Sequence, residues 1–372
     1  MSDTFNGARL ETLRQIHGLT QREFGAQLDI AQSQLSRLER GDVPLTAELA
    51  HAASEKFGEP ITFFQVPSTA VTLGPAAFRR KSSTKAAERD RILTLYREAS
   101  RVFWAAGEAS GYREAEFVRE IQTSDAEIAA EQFRSMAGVA PTQPVRNLTR
   151  MLERAGIGVI TELDDIEHAH DRADVSGVTM PTSRNGRPLV ALTSIARGDV
   201  QRLTIGHEVG HVVFDRDAPS ISCSTRSLQE KTAFDFGGAL LLPRRVVIDR
   251  VTERSTFRDY FELKAEYGMS AAAIIKRAQT LGVISSDRAR ILQIQHSSRG
   301  WRFDEPVEVA VERPILLRQA LKKAYPSATF ARAAHSLGAR PDRLHRWAGT
   351  GSSDENATPS NITELRQRRA RA

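Results

Sequence analysis

Residues 203–215 read LTIGHEVGHVVFD and hold two histidines four positions apart, His207 and His211, with Glu208 directly after the first. On a helix, positions i and i+4 share one face, so both imidazoles can aim at one point. Neutral imidazole is a favoured zinc ligand. Glu208, beside the first histidine, can take a proton from a water that the ion activates and pass it to a leaving amine, which is the chemistry of peptide hydrolysis. Gly206 and Gly210 each cost a helix about 1 kcal/mol relative to alanine, but each is small enough to admit a close neighbour.

A catalytic zinc needs a third protein ligand and one open position. Downstream, SLQEKTAFDFGGALLLPRRVV sets Glu230, Ala233, Phe236 and Gly237 at helical spacing. A carboxylate near the start of that helix can reach the same ion as the histidines. The plainer reading, an ordinary pair of surface or capping histidines, leaves this second segment without a purpose.

The elements around the pair predict an α+β arrangement, a small sheet against helices. VRNLTRMLERAG reads as a helix; IGVITEL, VSGVTM and PLVALTS read as strands before the histidine helix. Residues 85–137 are rich in Ala, Glu and Arg and read as helices, GVAPTQPVRN (138–147) as a loop, and the chain beyond residue 226 as mostly helical.

The first 68 residues carry a different pattern. Thr20 with Glu23 predicts a capping box at the start of one short helix, Asp29-Ile30-Ala31 a tight connection, and Gly41 the end of a second helix. Phe24, Leu28, Ile30, Leu35 and Leu38 fall where two such helices pack, and Gly25 is small at their closest approach. A helix-turn-helix presents its second helix to base edges in the major groove. Gln32, Ser33, Gln34, Ser36 and Arg37 occupy its exposed part; Gln can pair with adenine and Arg with guanine. Gln21, opening the first helix, is placed to bond a phosphate. The competing reading is a helical bundle for protein contacts or dimerisation.

Two resemblances follow from these residues. LRQIHGLTQREFGAQLDIAQSQLSRLERGDVPLTAELAHAASEKF resembles the Cro/C1-type (XRE) helix-turn-helix family, with Asp29 where a glycine and Gly25 where an alanine is usual. That resemblance implies a homodimer on a two-fold double-stranded DNA operator. TIGHEVGHVVFD followed by EKTAFDFGGALLLP resembles the ImmA/IrrE metallo-endopeptidases. It implies a zincin-like (gluzincin-type) fold with His207, His211 and Glu230 as Zn2+ ligands and Glu208 as general base. It also implies a repressor or antitoxin as protein substrate, in a stress or mobile-element response. Phe214-Asp215, Phe234 and Gly237 depart from the family's usual residues.

Composition bounds these readings. At 372 residues the chain exceeds the roughly 250 residues of a single core, which predicts several domains. Its one cysteine, Cys223, excludes an intramolecular disulfide and suits a reducing cytoplasm. No leader-like h-region opens the chain, and no apolar run approaches the roughly 20 residues that span a bilayer. Cys223 reads as a small, partly buried thiol; the sharper alternative is a latch on the open zinc position. Charge is uneven: six Lys/Arg against nine Asp/Glu over residues 1–68 (net −3), eight against three over 79–101 (net +5), and twelve against six over 306–372 (net +6). ATFARAAHSLGARPDRLHRWAG (328–349) repeats helix-turn-helix grammar with Arg340, Arg343, His345 and Arg346 outward, or else closes the preceding domain as a helical hairpin.

The expected organisation is a multidomain chain. It has an all-α helix-turn-helix domain (1–68), a basic linker with helices (69–137) and a mainly helical α+β metallopeptidase domain (138–250). A helical extension (251–305), a second helical region (306–350) and a disordered basic tail (351–372) follow. The expected function is a transcriptional regulator fused to a zinc endopeptidase that cuts a regulatory protein or itself. The alternatives are a regulator whose peptidase-like domain only senses or dimerises, and a small-molecule hydrolase, which nothing in the sequence marks.

Overall fold

A computed structural model of the chain describes residues 5–67, 71–78, 86–164, 177–194, 197–222, 224, 226–326 and 328–349. The proposed tail and Cys223 lie outside the described residues.

Four short helices open the chain: α1 (Ala8–Ile16), α2 (Gln21–Gln27), α3 (Gln32–Glu39) and α4 (Ala47–Phe57). The capping box at Thr20 is present, its hydroxyl accepting from Glu23 N while the Glu23 carboxylate accepts from Thr20 N. Phe24, Leu35 and Leu38 are buried between the helices. Gly25 is required by the turn: an added Cβ would lie 2.8 Å from the Ile30 carbonyl oxygen. Asp29 holds φ +53, the only positive φ at a non-glycine residue among those described. Asp tolerates this left-handed conformation better than most residues, so the turn forms without the usual glycine.

A four-stranded sheet stands behind the candidate chemistry, with β1 (Ala77–Phe78), β2 (Gly158–Ile160), β3 (Gly177–Thr179) and β4 (Leu189–Leu192) in the order β1-β3-β4-β2. Only β2–β4 is parallel. The three longer strands are buried along their length, and period-2 alternation sorts their side chains. Val159, Val190 and Leu192 join the core beneath α8 (Gly198–Phe214), whereas Ile160, Val178, Leu189 and Ala191 join that beneath α5 (Ala86–Ser110). Tyr96 of α5 fastens one face, donating to Leu189 O (2.7 Å) and accepting from Met180 N (3.2 Å).

The segment 69–137 thus supplies β1 to the sheet and α5 to its face. Its next helix, α6 (Ala126–Met136), packs beside α9 (Leu228–Leu241), and α7 (Leu148–Arg154) precedes β2. A third core unites α10 (Arg244–Arg250), α11 (Phe257–Tyr267), α12 (Ala271–Thr280) and α13 (Ser286–Ser298).

The last helices, α14 (Leu316–Ala324), α15 (Phe330–Ser336) and α16 (Pro341–Trp347), share one core with α1–α4 and α5. Here the structure corrects the outward placement of Arg343. That side chain is buried and donates to Glu59 Oε1 (2.7 Å), while Trp347 Nε1 donates to Leu163 O (3.0 Å). The α15–α16 pair packs as a brace against the N-terminal helices and α5.

Candidate metal centre

α8 is buried along most of its length because it passes between the sheet and α9. The glycines set how closely the two helices approach. A Cβ on Gly210 would lie 2.7 Å from Ala233 Cα, and one on Gly237 would lie 2.7 Å from His207 N. Any larger residue at either position meets backbone, which cannot turn aside. Gly237, a departure from the family pattern, therefore lets α9 bring its first turn against the histidines. Ser227 caps α9 and accepts from Glu230 N (3.2 Å), holding Glu230 at the start of the helix.

The result is a compact triad. His207 Nε2 and His211 Nε2 are 3.2 Å apart, and Glu230 faces both, with Oε2 3.4 Å from the first and Oε1 3.6 Å from the second. All three side chains are buried. Two imidazoles and a carboxylate are ligand types that zinc takes, and the 3.2 Å between the imidazole nitrogens is near the roughly 3.4 Å edge of a tetrahedron with ligands at about 2.1 Å. These are the described residues that cluster as a metal-binding group.

Glu208 sits on the sheet side of the triad. A Cβ on Gly177 of β3 would lie 2.3 Å from Glu208 Oε1, so glycine makes room for this carboxylate. Its other oxygen, Oε2, is buried and accepts no hydrogen bond. Burial pushes the Glu208 carboxyl up to about 8; His211 pulls it down, and Glu230 adds repulsion. An orphaned carboxylate oxygen next to a donor set of this kind calls for a cation or a polarised water nearby.

The same field acts on the triad. Burial disfavours a charged His211, but the bonds from Asp215 and Glu230 raise it to about 10. Burial raises Glu230, but the two histidines hold it down at about 2.

Asp215, one of the departures from the family pattern, supports His211. Its Oδ2 accepts from His211 Nδ1 (2.6 Å), and Gln229 Nε2 donates to its Oδ1 (3.0 Å). This carboxylate turns His211 so that Nε2 faces the triad. Asp215 stands at i+4 from His211, and that spacing was the available signal.

In the N-terminal domain, Gln32, Ser33, Gln34 and Arg37 are exposed on α3 and Ser36 is half-buried. Gln21 is half-buried at the start of α2; its amide donates to Glu39 Oε2 (2.7 Å) and accepts from Gln32 Nε2 (3.5 Å), which ties it to the first residue of α3. Glu39, buried and also bonded by Arg14 Nε (2.7 Å), organises this end of the domain.

No helix among the described residues is long and apolar enough to cross a membrane. No curated relative and no solved structure matches the chain. Residues 10–64 match the family described as helix-turn-helix, and residues 152–279 match the IrrE N-terminal-like domain. The second match encloses the histidine helix, Glu230 and three of the four strands, so the chain joins a Cro/C1-type (XRE) helix-turn-helix domain to an ImmA/IrrE-type domain.

Proposed function

We propose that the chain is a DNA-bound transcriptional regulator whose ImmA/IrrE-type domain is a zinc-dependent endopeptidase. It acts on a regulatory protein of the repressor or antitoxin type, or on itself. The observation that carries this reading is the fit of the triad to a tetrahedral ion, with the orphaned Glu208 oxygen beside it. His207, His211 and Glu230 would hold the ion. Bound zinc supplies Lewis acidity that polarises a water and the scissile carbonyl.

The remaining steps belong to the protein. Glu208 Oε2 accepts the proton of the attacking water and then delivers it to the leaving nitrogen. Gly177 seats the carboxylate, and Asp215 with Gln229 keeps His211 oriented. The exposed α3 residues Gln32, Ser33, Gln34 and Arg37, with Ser36, would read an operator as part of a cytoplasmic homodimer. The DNA domain thereby raises the concentration of the peptidase beside its target.

The test combines metal analysis with Glu208→Gln. Wild type and variant are incubated with proteins encoded beside this chain, with and without DNA. Cleavage by wild type alone supports the reading. Bound zinc and bound DNA with no cleavage of any neighbour leaves a regulator with a non-cutting domain.

A further inference from the structure

The sheet's outer strand near the candidate centre comes from outside the matched domain. β1 lies between the helix-turn-helix domain and α5, yet it pairs antiparallel with β3, Ala77 opposite Thr179 and Phe78 opposite Val178. Gly74 N donates to Met180 O (3.4 Å) and extends the contact. This register runs β1 toward Gly177, the β3 residue against which the Glu208 carboxylate rests. The seat is close. A Cβ on Gly74 would lie 1.7 Å from Pro181 O, and Ala77 is 1% exposed.

β3 has one edge paired with β4, so β1 covers its other edge. An extended polypeptide added to that edge would gain main-chain hydrogen bonds whatever its sequence and would be led toward Glu208. Strand addition of this kind is a general mode of peptide capture. The cis segment is suited to yield the edge. β1 pairs through two residues, and Pro75 just before it lacks an N–H with which to lengthen the ladder.

We propose that the outer edge of β3 is the docking site for an extended polypeptide substrate, and that residues 74–78 occupy it in cis as an autoinhibitory strand. This rests on the peptidase reading of the adjacent site. A tethered segment competes at an effective concentration of about a millimolar, so a free substrate gains access only when β1 leaves. β1 follows the DNA-binding domain directly, and movement of that domain is therefore coupled to the state of the edge.

The experiment uses the full, zinc-loaded chain carrying Glu208→Gln and, as probe, fluorescein-labelled carboxymethylated α-lactalbumin, an unfolded polypeptide. Gly74→Val, which clashes with Pro181 O, releases β1. Ala77→Cys with Thr179→Cys locks it when oxidised, the cross-link being verified by peptide mass. Released protein should bind the probe about tenfold more tightly than the parent. The oxidised lock should not bind it measurably, and reduction should restore binding. Hydrogen exchange at Val178, opposite Phe78, should rise in the released protein and fall on probe binding. Equal affinity in the parent, released and locked forms overturns the proposal.

The same forms with Glu208 retained separate the two readings. Tighter binding without any cleavage sinks the peptidase while the docking edge stands. Equal cleavage by locked and released protein sinks the docking edge while the peptidase stands. If Gly74→Val melts below the assay temperature, comparison of the oxidised and reduced lock decides alone.

Discussion

His211 Nδ1 lies 2.6 Å from Asp215 Oδ2, so the second histidine of the candidate metal pair is held from behind by the carboxylate that ends its own helix. Gln229, from the first turn of α9, holds that carboxylate in turn. The two helices that carry the proposed ligands are thereby joined behind them as well as through them.

Asp215→Asn should therefore weaken zinc binding about 10- to 100-fold, the usual effect of losing such a supporting partner. Competition against a chelating dye measures it. Unchanged affinity would reduce Asp215 to a helix terminator.

The glycine crossing sets a second expectation. Gly210→Ala gains about 1 kcal/mol of helix propensity. Its Cβ, however, would stand 2.7 Å from Ala233 Cα and 2.8 Å from Ala233 O. Overpacking against backbone costs about 1–3 kcal/mol, so the clash wins. The melting temperature and the zinc affinity should fall together, because separating α8 from α9 moves Glu230 away from the histidines. A higher melting temperature would show that the crossing has slack.

These two positions mark what could be read in advance. His207, His211 and Glu230 were legible because helix periodicity is local and the ligand types are few. Thr20 with Glu23 was legible for the same reason. Asp215 was visible at i+4 but looked like a deviation, since its role lies in a rotamer and in Gln229 across a loop. β1 left no trace, because a two-residue strand has no alternation to detect and its partner lies far along the chain. Arg343 misled because helical periodicity marks a face without saying what covers it; the cover is Glu59, from the other end of the chain.

Acid stability should depend on the junction between the N-terminal domain and α5. Arg9 donates to both Glu98 oxygens (2.6 and 2.7 Å), and Arg101 adds another bond (2.9 Å). Burial alone would raise Glu98, but Arg101 and Arg9 outweigh it and hold the carboxyl well below the ordinary 4.5. A depressed folded pKa stabilises above the unfolded value and loses that contribution as pH falls through the folded one. Stability should decline as pH drops below about 4.5. Glu98→Gln should flatten that decline while costing about 3–5 kcal/mol near neutrality, because two buried guanidinium groups lose their counter-ion. Melts at pH 3, 5 and 7 test both; parallel curves for the two proteins would remove Glu98 from the account.

Arg37 and Arg343 both lie on the second helix of a helix-turn-helix-like pair, and they should behave in opposite ways. Arg37 is exposed on α3. Arg37→Ala should leave the melt unchanged within about 0.5 kcal/mol. If the side chain pairs with a guanine, operator binding should weaken by about 1–3 kcal/mol and preference at that base pair should relax. Arg343 is buried against Glu59, whose carboxyl is raised because burial outweighs the pull of Arg343. Arg343→Ala leaves Glu59 buried without its cation, and the brace should lose stability by about 3–5 kcal/mol. Operator affinity per folded molecule should stay constant. Binding isotherms on a selected site, normalised to the folded fraction at each temperature, separate the two effects. Weaker binding by fully folded Arg343→Ala would return α16 to the DNA.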